Sequence, residues 1–194
     1  MADSFVVVVV VVGVCLSNIE TLKLGKEHAM LVGIRKLRVR DSDSFLKEIR
    51  ALKRGVAVQV LDANFVAGKE HILEVLKQSL HARRTGTMLS RRIEIDLLMR
   101  VACTNQISRA LENVGIKEGL NDLLIVAIGK TKDLRMLARN LEKNYKPSMG
   151  VLNLSARKKR LIVSHHRIGR EEIGACIGGE GLATILAERA NLLW

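Results

Sequence analysis

The sequence predicts an α/β (α+β) fold: a single domain with a small, mainly antiparallel or mixed β-sheet covered by several α-helices. Three observations predict it. Apolar runs of strand length recur between longer segments in which apolar residues repeat at helical spacing. Their order reads β-β-α-β-α-α-α-β-α followed by helices, with helical crossovers and no internal repeat or domain boundary. The chain has 194 residues, 48% hydrophobic and 27% charged, enough for one aliphatic core, since aromatics make up only 3%.

The first element is the valine-rich run Phe5–Leu16. It is too short to span a bilayer, and Asp3 stands where a signal peptide would carry Lys or Arg. Consecutive β-branched residues disfavour helix, so a strand buried on both faces in the middle of a sheet is expected. A polar turn, Ser17-Asn18, and a mixed stretch to His28 follow. Ala29–Ile34 reads as a second strand, able to pair with the first. "DSDSFLKEIRALKRG" predicts a helix that Asp41, Ser42 or Ser44 can cap, with Phe45, Ile49 and Leu52 on one side and Gly55 placed to end it. Val56–Leu61 is a short strand. A long helix over about Gly68–Arg84 turns Ile72, Val75, Leu76, Ser79 and Leu80 inward and leaves His71 at the edge of that arc.

Gly86 breaks the chain. Ser90 is a candidate N-cap for a helix over about Arg91–Ala102, whose polar strip Arg92, Asp96, Arg100 lets one aspartate bridge two arginines. Glu94 falls in the apolar arc and needs a partner, His71 or an arginine of a neighbouring helix. A helix over about Asn105–Val114, capped by Thr104 or Asn105, is expected to bury Ile107, Ala110, Leu111 and Val114 and to end at Gly115. Asp122–Lys130 is a buried strand. Thr131 opens a helix burying Leu134, Leu137, Ala138 and Leu141. Pro147 and Gly150 mark a loop. Ser155–Gly169 leans to helix, with Arg157–Arg160 as a solvated face. Two short helices separated by Gly178-Gly179 close the chain.

The formal charge is +12 and the pI about 10.1, which favours an anionic partner. Cys15, Cys103 and Cys176 are far apart and odd in number, without a CxxC, which argues against a disulfide framework or zinc site and for a reducing cytoplasm. No nucleophile elbow, HExxH, Walker loop or Rossmann fingerprint is present. Cys103, before a helix N-terminus and near arginines, is a candidate low-pKa thiol, but no base is assigned to it and core packing explains it as well. His165-His166 diverge as neighbours and make a poor metal pair. The cations of the central helices, Lys69, Arg83, Arg84, Arg91, Arg92, Arg100 and Arg109, can share one phosphate-binding surface, with His71 beside them. Scarce aromatics argue against reading of unpaired bases.

Ordered landmarks add a further reading. "VGIR" (Val32–Arg35), "QVLDA" (Gln59–Ala63), "AGKEHIL" (Ala67–Leu73), Gly86, "IEIDLLM" (Ile93–Met99), "NQISRALENVGI" (Asn105–Ile116) and "LLIVAIG" (Leu123–Gly129) run through most of residues 29–142. Together with Glu171-Glu172 and a final aliphatic helix, they resemble the kinase-binding subunit of the KEOPS (EKC) complex, the TPRKB family, in an archaeal form. The valine strand precedes the family's usual start, and the Gly178-Gly179 break departs from its last helix. The resemblance implies one such domain over 1–194, with 1–28 adding an N-terminal strand and 168–194 the partner-binding helices. It implies a non-catalytic, cytoplasmic protein without cofactor or metal. Such a subunit docks on and stimulates the complex's small kinase/ATPase, meets the transferase and other members indirectly, and helps recruit tRNA by its 3′ CCA end for threonylcarbamoyladenosine modification beside the anticodon. Carried onto this chain, the kinase contact falls on Leu182, Ile185, Leu186, Arg189, Leu192, Leu193 and Trp194. The tRNA candidates are Lys69, His71, Arg83, Arg84, Arg91, Arg92, Arg100 and Arg109. A basic RNA-binding module outside KEOPS is the alternative.

Overall fold

The computed structural model describes residues 9–11, 18–175 and 181–193. Most of the valine run, Cys15, Cys176, the Gly178-Gly179 break and Trp194 lie outside the described residues. Strands β1 (Val9–Val11), β2 (Ile19–Leu24), β3 (Glu27–Val39), β4 (Ala57–Asp62) and β5 (Gly119–Gly129) form one sheet in the order β1-β2-β3-β5-β4. Every neighbouring pair is antiparallel.

Two expectations change here. The valine strand is at the edge of the sheet and not in its middle: β1 bonds β2, and the long strands β3 and β5 take the centre. An all-apolar run shows only that a strand suits an apolar setting; the position comes from which partners can cover it. The stretch before His28 holds a strand, β2, joined to β3 through a turn in which Gly25 has φ 65°. The second strand therefore pairs with β2 and β5, not with β1. Glu20 and Lys23 interrupt the apolar pattern of β2, which is why it reads as a loop.

The helices are α1 (Ser42–Ala51), α2 (Gly68–Thr85), α3 (Ile93–Val101), α4 (Ile107–Val114), α5 (Thr131–Asn144), α6 (Ala156–His165), α7 (Arg170–Ala175) and α8 (Gly181–Asn191), with 3₁₀ turns at Ala63–Phe65 and Met149–Leu152. Alternation along the strands divides the core. Met30, Val32, Ile34, Val60, Leu123 and Ile125 pack on Ile49 of α1 and on Leu134, Leu137 and Leu141 of α5. Leu22, Leu31, Leu124 and Val126 face α2, α3 and α4 through Ile72, Leu76, Leu97, Leu98 and Val114. A third cluster, Ala67, Ile162, Ile168, Leu182, Ile185 and Leu186, seats α6 and α8 beside the start of α2.

Local chemistry sets the helix ends. Asp41 caps α1 by accepting from the Ser44 N–H at 2.5 Å. Gly86 ends α2 at φ 75°, with its N–H on the Ala82 carbonyl. The expected Ser90 cap is replaced: α3 begins at Ile93, and the Ser90 hydroxyl accepts only from the Arg92 N–H at 3.4 Å. Ile107 and Leu111 of α4, expected in the core, are 45% and 46% exposed; Ala110 and Val114 are buried. Lys158, expected on a solvated face, is buried, its ammonium donating to the Val151 carbonyl at 2.8 Å.

Candidate functional site

The C-terminal helix is where the resemblance lays a partner contact, and three polar side chains of other elements grip its backbone. Gln78 of α2 donates to the Ala187 carbonyl at 2.8 Å. The Cys103 thiol donates to the Leu186 carbonyl at 3.5 Å. Arg100 of α3 donates through Nη1 to the Ala190 carbonyl at 3.1 Å, near the C-terminus of α8. A cation suits that end, where the last carbonyls lack intrahelical donors. Arg100 is held in turn by Asp96 at 2.9 Å, and the other oxygen of Asp96 accepts the Leu89 N–H at 2.7 Å. Both charges are buried, and each finds hydrogen bonds, as buried charges must.

The apolar face of α8 is consumed by the domain itself. Leu182, Ile185 and Leu186 are buried in the third cluster, as core residues of this domain. Arg189 bonds the His166 carbonyl at 2.6 Å and Glu172 at 2.7 Å. What protrudes is the end of the helix. Leu192 is 75% exposed, and with Leu193 it borders a groove of about 430 Å³ that Asn113, Cys103, His165, His166 and Arg189 also line.

The segment 102–104 before α4 is the end of α3. Cys103 has φ 49°, the Thr104 N–H bonds the Met99 carbonyl at 3.0 Å and the Cys103 N–H bonds the Arg100 carbonyl at 3.0 Å. This is the Schellman pattern with cysteine where glycine is usual. Burial pushes the Cys103 thiol up to about 12, against the pull of Arg189, so it stays protonated at neutral pH, the opposite of an activated nucleophile. Gln106 is exposed and precedes the first turn of α4 without a side-chain cap bond.

Of the eight residues of the predicted cationic surface, the structure buries two. Arg100 is buried in the latch just described. His71 is also fully buried; its Nδ1 accepts from the Ala67 N–H at 3.1 Å, and its Nε2 has no hydrogen-bond partner among the described residues. Desolvation, with His166 and Lys158 nearby, pushes His71 down to about 3, and burial takes His166 down to about 4. Neither Arg100 nor His71 can reach a phosphate from these positions. Lys69 pairs with Glu20, Arg83 with Glu27 and Arg92 with Glu94. The Asp96 bridge to two arginines is thus single, and the partner of Glu94 is Arg92, two residues earlier. Arg84, Arg91 and Arg109 remain exposed. Arg35–Arg40 is a further charge run, four cations in six residues, legible as such in the sequence.

Among the described residues, no helix is long and apolar enough to cross a membrane, and no group of three or more His, Cys, Asp or Glu side chains could hold a metal ion. The profile of the family described as kinase binding protein CGI-121 matches residues 38–177. A curated relative from Aspergillus fumigatus, an EKC/KEOPS complex subunit cgi121, is 26% identical over 74 residues, 38% of this chain and 39% of that protein. The aligned stretch thus spans about two-fifths of that relative's length. With well over half of its residues matched in order, the chain belongs to the kinase binding protein CGI-121 family.

Proposed function

We propose that this protein is a non-catalytic subunit of a KEOPS complex in the cytoplasm. It binds and stimulates the small kinase/ATPase and helps bring tRNA, by its 3′ CCA end, to threonylcarbamoyladenosine modification beside the anticodon. The observation that carries the kinase half is the end of α8: Leu192 stands 75% exposed on a helix clamped by Arg100, Gln78 and Cys103. A rigid helix end bearing apolar side chains over a groove is a form that partner grooves recognise. Exposed Ile107 and Leu111 on α4 extend the apolar surface of the chain. The family match and the name of the fungal relative support this reading. For the RNA half, the support is the +12 charge.

The burial of α8 dictates the test. Removing residues 182–194 would expose the core, whereas a chain cut after Asn191 keeps Leu182, Ile185 and Leu186 in place and loses the exposed Leu192. A chain ending at Asn191 is expected to keep its melting temperature and to lose most of its capture of the kinase in a pulldown. Undiminished capture would move the kinase contact elsewhere. A general RNA module outside KEOPS would capture no kinase in either form and would bind unrelated duplex RNA as well as tRNA.

A further inference from the structure

We infer that the protruding end of the β3–β5 ribbon is a contact surface for the phosphate backbone of double-helical RNA, built by a β-bulge at Lys36. This rests on the RNA half of the proposed function and names the surface responsible.

β2 stops pairing with β3 at Val32, and β4 stops pairing with β5 at Leu123. Beyond those points, Leu37–Val39 pair only with Gly119–Asn121, as a two-stranded ribbon. The register shifts between Ile34 and Leu37: Ile34 opposes Leu123, and Leu37 opposes Asn121. Arg35 and Lys36 therefore share the single partner position of Asp122, the two-against-one arrangement of a bulge. Lys36 takes φ 50°, and its N–H is pinned by the Asp122 carboxylate at 2.8 Å.

The extra residue resets the alternation. Ile34, Leu37 and Val39 all face the α1–α5 side. In an unbulged strand, Arg35 would share a face with Leu37 and Val39, and Arg38 would lie opposite. With the bulge, Arg35, Lys36 and Arg38 fall on the face of Asp122 and Leu120, and Arg40 follows at the strand's end. All four cations are exposed. Among the described residues none is in an ion pair, unlike Lys69, Arg83 and Arg92. On the paired strand Asp122 is already bound to the Lys36 N–H, Glu118 precedes β5, and Asp41, after Arg40, accepts from the Ser44 N–H as the cap of α1.

The surface fits a phosphodiester chain better than other anions. Alternate residues of a strand are about 6.6 Å apart, a spacing that suits successive phosphates of one strand. Leu120, 64% exposed, is the apolar residue opposite Arg38, too little for the packed centre of a protein interface or for insertion into lipid. No aromatic lies between residues 35 and 40 or 117 and 122, so base stacking is not built in and backbone contact is.

The test uses the full chain with tRNA and with a plain RNA duplex, titrated at several salt concentrations. R38E/R40E is expected to weaken binding about tenfold or more and to reduce the log–log salt slope by about 2, for both RNAs. R38K/R40K should keep the slope, and melting temperature and kinase capture should be unchanged in both. R91E/R109E, just before α3 and on α4, should change the slope less. If R38E/R40E binds RNA with the wild-type slope, the inference is overturned while the RNA reading stands. If the wild type binds neither RNA at low salt, both fall. Loss of binding to phosphatidylserine vesicles with RNA binding intact would make the ribbon a lipid contact and overturn the assignment.

Discussion

Arg100 does for the folded chain what no exposed arginine can: it neutralises buried Asp96 and closes the Ala190 carbonyl of α8. Arg100→Met leaves Asp96 buried and unpaired, which costs about 3–5 kcal/mol. Thermal melts should fall by about 10 °C, and the double variant D96N/R100M should recover part of that loss. His71 and His166 set a second residue-scale expectation. Both are held neutral by burial, at about 3 and about 4. Below the ordinary value of 6.5 the unfolded chain binds protons that the folded chain refuses. Stability present at neutral pH is therefore lost on acidification, with a slope that steepens below 6.5 toward about 1.4 kcal/mol per pH unit for each histidine. Urea unfolding at neutral pH and at about one and two units lower should show this slope, and His71→Gln, which keeps an acceptor for the Ala67 N–H, should flatten it.

At the scale of elements, helices with strong periodicity were legible. α2 and α5 occupy nearly the expected residues and bury the expected side chains, because a 3.6-residue apolar repeat is a property of one segment. β2 was not legible, since Glu20 and Lys23 find their setting through β3 and α2 and not through their sequence neighbours. Close packing between elements is equally hidden in sequence. Gly33 of β3 lies under the Met149–Leu152 turn: a Cβ there would stand 2.3 Å from the Ser148 carbonyl oxygen, and the Ser148 N–H bonds the Gly33 carbonyl at 2.7 Å. Gly33→Ala must push that turn away and should cost about 1–3 kcal/mol in denaturant unfolding. Leu186→Ala should cost about 2–5 kcal/mol in the same measurement. A negligible effect would mean that α8 does not belong to the core.

For the molecule as a whole, a net charge of +12 opposes compaction and attracts anions together. Added salt screens both effects. Melting temperature should therefore rise modestly with sodium chloride over the range in which RNA affinity falls; parallel melts and binding titrations check this. The buried Asp96–Arg100 pair is shielded from that screening, so R100M should lose the same stability at low and high salt.

By itself the sequence determined the fold class, the order and length of the strongly periodic helices, the excess of positive charge and the family, since each is carried by local pattern or by motifs in order. Only the tertiary structure decided that Arg100 and His71 are interior, that Leu182, Ile185 and Leu186 close the core while Leu192 stays out, and that Ile107 and Leu111 face solvent. It also moved the valine strand to the edge and, through a single extra residue, brought Arg35, Lys36 and Arg38 to one face of a ribbon. The physical reason is common to all of these. Burial, ion pairing and strand order depend on which distant segments meet, and a side chain's role changes with the partner it meets, whereas periodicity reports only on neighbours within one element.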